Sequence, residues 1–229
     1  MTDGTANNDF LTPVDGNDTV NGFAGDDTIS AIDDNEVVDA GDGNDRVLFS
    51  VDPYSGDTST ITLGAGADRL VLVFYEIMNM SGNPAEAAAV VTDFTPMDGD
   101  VLDITSIMPD GSGVARMVNW DGVTNPWSTG AGGGYFRLLA DGADTVFEFD
   151  RNGGGDNFLP IVRFQNVAPA SFTASNFAPP FDPAGGPLVG ETIIGTVDAD
   201  SLMGGWVGDT IDGGAGDDSI EGLSGSDSL

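Results

Sequence analysis

Large apolar residues recur every nine positions at both ends of the chain. Between residues 4 and 48 they are Leu11, Val20, Ile29, Val38 and Val47; from 186 onward they are Ile193, Leu202, Ile211, Ile220 and Leu229. Each stands two residues after an acid: Asp9, Asp18, Asp27, Glu36 and Asp45 in the first block, and Glu191, Asp200, Asp209, Asp218 and Asp227 in the second. Glycines fill much of the space between, most fully in Gly213-Gly214-Ala215-Gly216-Asp217-Asp218-Ser219-Ile220-Glu221. The unit is the nonapeptide G-G-x-G-x-D-x-U-x, where U is a large apolar residue. It predicts a tight turn followed by a short strand x-U-x that sends one side chain inward. A single unit cannot cover that side chain, so units must stack into a coil. The unit Ala31–Asp39 lacks glycine and carries Glu36 in place of Asp, which predicts a weaker turn there.

The pattern changes in the middle. Phe49–Ser59 reads as a loop insertion, after which Ile61–Val73 resumes the repeat once, with Gly64, Gly66, Asp68 and Leu70 in place. That turn is open to two readings, an ordinary β-hairpin or a further metal ligand at Asp68. Pro84 is a possible helix start. Strands are expected at Tyr135–Leu139, Thr145–Asp150 and Ile161–Val167, with another at Ser171–Phe177. Trp120 and Trp127 lie in a long loop that needs an anchor, so both are expected to pin it to the core rather than form a contact surface. Ala178–Leu188, with four prolines and two glycines, reads as a linker. The expected fold class is therefore all-β, a parallel β-roll at each end with a central β-rich region. The divisions fall at residues 1–48, 49–185 and 186–229.

The turn residues suggest the chemistry. Glycines at positions one, two and four allow φ > 0, and the turn then presents carbonyl oxygens and one carboxylate. Such hard oxygen donors suit Ca²⁺. The units resemble the RTX family, calcium-binding β-roll proteins secreted by Gram-negative bacteria. That resemblance implies two nonapeptides per coil and calcium ions between turns two units apart. The implied pairs are Asp9 with Asp27, Asp27 with Asp45, Asp18 with Glu36, Asp200 with Asp218, Asp209 with Asp227 and Glu191 with Asp209. Val90–Ile107 is similar to a phrase, V-x-D-F-x-x-x-x-D-x-L-D-I, that follows RTX repeats. Within it Asp98 and Asp100 read first as surface turn acids and second as ligands of a further ion. The resemblance also implies export through a type I secretion machinery, and a chain that is unfolded at low calcium and folded outside the cell.

Composition sharpens this picture. There are 38 acidic and 6 basic residues and a net charge of −32, with no His and no Cys. The acids are nearly all Asp, the residue of turns and short-reach metal sites rather than of helix faces. This charge opposes binding to nucleic acid or anionic lipid, and the longest apolar run is too short to span a membrane. Without His or Cys there is no Ser-His-Asp triad, no thiolate nucleophile and no His-ligated zinc. No pair of carboxylates stands out for glycosidase chemistry. The expected protein is not an enzyme. It is an extracellular or cell-surface structural protein (filament, surface layer, matrix component or adhesin) that associates head to tail through its roll ends. The alternative is a non-catalytic calcium-dependent folding and secretion module of a larger toxin or hydrolase.

Overall fold

The computed structural model describes residues 1–13, 17–31, 35–51, 58–74, 87–109, 117–223 and 225–229. The possible helix start at Pro84 lies outside them. Short strands alternate between two sheets from the first repeat onward. One sheet takes β1 (Thr2–Asp3), β3 (Thr19–Asn21), β5 (Val37–Asp39), β7 (Ser59–Thr62) and β9 (Ala89–Val91). The other takes β2 (Phe10–Leu11), β4 (Thr28–Ala31), β6 (Arg46–Ser50), β8 (Arg69–Val73) and β10 (Val101–Asp103). Every neighbouring pair among these strands is parallel. Val20 stands beside Val38, and Leu11 beside Ile29 and then Val47. The apolar position of each unit is buried, which is what the nine-residue period requires. These strands form a parallel β-roll, with two units per coil in its first coils.

The roll runs on past residue 48. The 49–59 insertion lengthens one coil, so that Arg46 pairs with Arg69 and Val37 with Thr60, yet the stacking is unbroken. The strands lengthen as well. β6 and β8 each send two apolar side chains inward, Val47 with Phe49 and Leu70 with Leu72, where the first coils send one. The roll widens accordingly, and aromatic side chains fill the added width.

The wide end is closed by an antiparallel layer. β11 (Phe136–Asp141), β12 (Asp144–Phe149) and β13 (Leu159–Phe164) extend the first sheet, with β13 parallel to β9. β14 (Phe177–Ala178) extends the second beside β10. Trp127 packs between Phe136, Phe147 and Phe177. Trp120 lies edge-on to Phe181 and donates to the Thr124 carbonyl. Both tryptophans pin their loop, as the sequence suggests. The expected strand at 171–177 is instead two 3₁₀ turns, Pro169–Ser171 and Ala174–Asn176, before β14. Proline starts the first, and a Thr173–Asn176 capping box closes the second. The expected linker is packed down. Phe181 is buried, Asn125 donates to the Asp182 carbonyl, and the Ser128 hydroxyl donates to the Gly185 carbonyl.

The C-terminal roll is smaller. β15 (Thr192–Ile194) pairs with β17 (Thr210–Asp212), and β16 (Ser201–Met203) pairs with β18 (Ser219–Glu221), all parallel and two units apart. Only Ile211 of its apolar set is fully buried; Leu229 is exposed. Trp206 is half-buried against the main core, and it shares a crevice with Trp120.

Phe147→Ala, in the fully buried aromatic cluster, is expected to lower stability by about 3–5 kcal/mol. Leu139→Ala, on the exposed part of β11, should change it by less than about 1 kcal/mol. Denaturant unfolding in calcium-containing buffer measures both.

Candidate metal centre

The turns along one edge of the N-terminal roll stack their acids directly. The backbone N–H of Asp9 donates to Asp27 Oδ1 at 2.8 Å, that of Asp27 to Asp45 Oδ1 at 2.8 Å, and that of Asp45 to Asp68 Oδ1 at 2.8 Å. Asp68 continues the ladder to Asp100 Oδ1 at 3.0 Å. The C-terminal roll repeats the motif: Glu191 N–H donates to Asp209 Oδ1, Asp200 N–H to Asp218 Oδ1, and Asp209 N–H to Asp227 Oδ1. Each rung spends one carboxylate oxygen on the backbone of the coil before it.

The second oxygen is the informative one. Asp27, Asp45 and Asp68 are each 1% exposed, and in each Oδ2 is buried without a hydrogen bond. A buried carboxylate oxygen with no donor is costly unless a cation or a proton meets it. Burial first, and neighbouring carboxylates after it, push Asp45 up to about 6 and Asp68 up to about 7 from 3.8. Asp27 and Asp100 are raised in the same direction, again chiefly by burial. Elsewhere in the molecule buried or half-buried acids are answered directly: Arg137 pairs with Glu148, Arg163 with Asp144 and Arg69 with Asp103, and the Gly155 and Asp156 N–H groups meet Asp150.

The backbone closes around these oxygens. A Cβ on Gly22 would sit 2.6 Å from Asp27 Oδ2 and 2.0 Å from the Ala40 carbonyl oxygen. Gly22 is thus fixed by close approach, although Ala40 and Leu63 hold the same position in the next two coils; Gly41 and Gly64 at position two, and Gly25, Gly43 and Gly66 at position four, lie at positive φ, where glycine is unstrained. Among the described residues no three carboxylates converge on one point. A cation between these turns therefore needs carbonyl oxygens beside the carboxylates, a donor set that suits Ca²⁺.

The remaining predicted residues fall into place around this ladder. On the opposite edge Asp18 accepts from the Met1 ammonium, and Val37 beside Glu36 stacks on Thr19 beside Asp18. That edge then changes chemistry, since the Glu36 N–H donates to the Ser59 hydroxyl where the other edge has an Asp. Asp98 is an exposed turn acid, as expected, but Asp100 is buried and ends the ladder, which corrects its first reading. Asp93 accepts from the Leu63 and Gly64 N–H groups, covering the backbone of the coil below it. Asp100, Asp93 and Ser59 stand outside the nine-residue period because their coils are longer than two nonapeptides.

The family model of the RTX calcium-binding nonapeptide repeat matches residues 3–31, 14–47 and 194–229, in four copies. The two ends of this chain are RTX repeat blocks. The matched segments leave the RTX-like turn at Asp68, and all of the antiparallel layer, outside the family model. No curated protein matches the chain. Among solved structures, the AlgE6R2 subunit of the Azotobacter vinelandii mannuronan C5-epimerase is similar at 18% identity, over 77% of this chain and 90% of that one. Its TM-score is 0.29, a likeness that carries nothing about arrangement or activity here. The parallel β-roll rests on this chain's own strand pairing, and the match to the calcium-binding repeat is confined to its two repeat blocks.

The raised carboxyls fix a sign. The metal-free folded roll holds protons that the unfolded chain releases, so its stability falls as pH rises through about 6 to 7. Calcium must displace those protons, so its apparent affinity falls as pH drops through the same window. In EDTA a melting transition should therefore be present at pH 5 and absent at pH 8, whereas in millimolar calcium the Tm should be higher at pH 8 than at pH 5.

Proposed function

We propose that this chain is a secreted, non-catalytic RTX protein whose rolls fold when calcium enters their turns, and which then associates head to tail through the roll ends. The observation that carries the calcium step is the set of buried, unbonded Oδ2 atoms on Asp27, Asp45 and Asp68. Extracellular modules hold calcium with dissociation constants on the order of 10⁻⁴–10⁻³ M. A ladder tuned to that range stays unfolded inside a low-calcium cell and folds after export, so the ion acts as a sensor of location. Export through a type I secretion machinery fits this logic, because the channel takes an unfolded chain.

Association is supported by the sheet edges. β1 and β2 each have a neighbour on one side only, and Phe10 beside that edge is exposed. The C-terminal roll exposes Ile194, Met203, Leu223 and Leu229. Edges of this kind accept further strands, and a roll of matching nine-residue period is a suitable partner. A filament, surface layer, matrix component or adhesin is the expected role.

A calcium titration followed together by circular dichroism and light scattering tests both steps. Strand signal and large particles rising together, and reversed by EDTA, is the expected result. Strand signal with monomeric particles removes the assembly step and leaves a calcium-dependent folding and secretion module. A chain already folded in EDTA at neutral pH overturns the calcium step. In the same assay Asp27→Ala should raise the calcium midpoint several-fold, while Asp98→Ala, at an exposed turn, should leave it unchanged.

A further inference from the structure

The ladder contains two kinds of turn, and the backbone at the second position separates them. In one kind that residue has positive φ: Phe23 at 77°, Gly41 at 105° and Gly64 at 97°. These are the turns of Asp27, Asp45 and Asp68, whose Oδ2 atoms are buried and unbonded. A positive φ swings the peptide over, so the N–H of that residue leaves the carboxylate. The Gly64 N–H goes to Asp93 Oδ2 instead. In the C-terminal roll Gly214 at 81° and Leu223 at 62° give the same backbone to the turns of Asp218 and Asp227. There the Gly214 N–H goes to Asp212.

In the other kind the second residue keeps negative φ, and its N–H closes onto the turn's own acid. Thr5 N–H reaches Asp9 Oδ2 at 2.6 Å, Thr196 N–H reaches Asp200 Oδ2 at 2.6 Å, and Gly205 N–H reaches Asp209 Oδ2 at 2.5 Å. The two threonines add their hydroxyls to the same oxygen. The Thr95 N–H closes onto Asp100 Oδ2 at 2.6 Å in a turn one residue longer, while its hydroxyl goes to the Asp93 carbonyl. A β-branched residue enters the positive-φ region only under strain, so a threonine at this position holds its turn shut. Gly205 has no such barrier.

We infer that the residue at the second position of each turn selects which rungs take calcium. This rests on the calcium reading above. The open rungs are Asp27, Asp45 and Asp68 in the N-terminal roll, and Asp218 and Asp227 in the C-terminal one. The turns of Asp9 and Asp200 are closed by their threonines, and the Asp209 turn can open because its second residue is glycine. Asp68 lies outside the segments that match the family repeat, so calcium binding extends one coil beyond those segments, to the coil beneath the aromatic layer. Phe23 is 55% exposed and is not packed into this conformation. Its positive φ is retained where the turn serves the carboxylate.

Bound calcium per chain, measured on the full chain by equilibrium dialysis, tests this. Phe23→Thr should lose one ion per chain, Phe23→Gly should keep the wild-type number, and Thr196→Gly should gain one. If Thr196→Gly gains none, or if Phe23→Gly loses an ion as Phe23→Thr does, the selection rule is overturned. Should Phe23→Thr fail to fold in calcium, the Thr196→Gly count decides alone. A wild-type chain that binds no calcium sinks the calcium reading itself, an outcome distinct from a wild type that binds and variants that do not differ.

Discussion

Stacking like charges in a dry place is the constraint on which this molecule depends. The strands need their turns to lie one above another, two units apart, because only then does each buried Val, Ile or Leu find neighbours. That same stacking puts Asp9, Asp27, Asp45, Asp68 and Asp100 in one line. The backbone N–H groups answer one oxygen of each acid. Protons or a divalent cation must answer the other, and at neutral pH a fold that depended on protons would be weak. The glycines belong to the same constraint, since Cβ atoms would enter the space between carboxylate and carbonyl.

The two halves of the structure handle charge in opposite ways. The antiparallel layer matches Glu148 and Asp144 with arginines and the buried Asp150 with backbone N–H groups, and it is held by a large aromatic core. It has the packing of an ordinary domain. The rolls have thin cores and no such arginine partners along the Asp ladder among the described residues. On the calcium proposal they depend on the ion, and the C-terminal roll, with Ile211 as its one fully buried apolar position among those described, has the least core to replace it. β9 and β10 belong to both the roll and the wide end, so the ladder and the aromatic layer are joined by shared sheets rather than by a linker.

Much of this was legible in the sequence, for reasons that can be named. Period nine placed Val20, Ile29, Val38 and Val47 inside and their acids in register, because each unit repeats one local conformation. Asp68 was half legible: Gly64, Gly66 and Leu70 placed it in the repeat but left open a β-hairpin, which the parallel pairing of β8 with β6 and β10 removes. Asp100 was not. Its Met-Asp-Gly-Asp context looks like a surface turn, and its coil is too long for the repeat. The burial of Glu148 was hidden too, since alternation in β12 suggests a solvent face that its pairing with Arg137 and the neighbouring strands β11 and β13 remove. The positive φ of Phe23 is hinted at only by its place at a position that glycine fills in other units, as nothing in its side chain favours that conformation.

Anomalous diffraction near a wavelength where calcium scatters strongly, from crystals grown in millimolar calcium, reaches the central claim most directly. Peaks at calcium–oxygen distances of about 2.3–2.6 Å from Oδ2 of Asp27, Asp45 and Asp68 are the predicted result. A folded roll with no anomalous signal beside those three oxygens would contradict the account, because the carboxylates would then be held by protons or water.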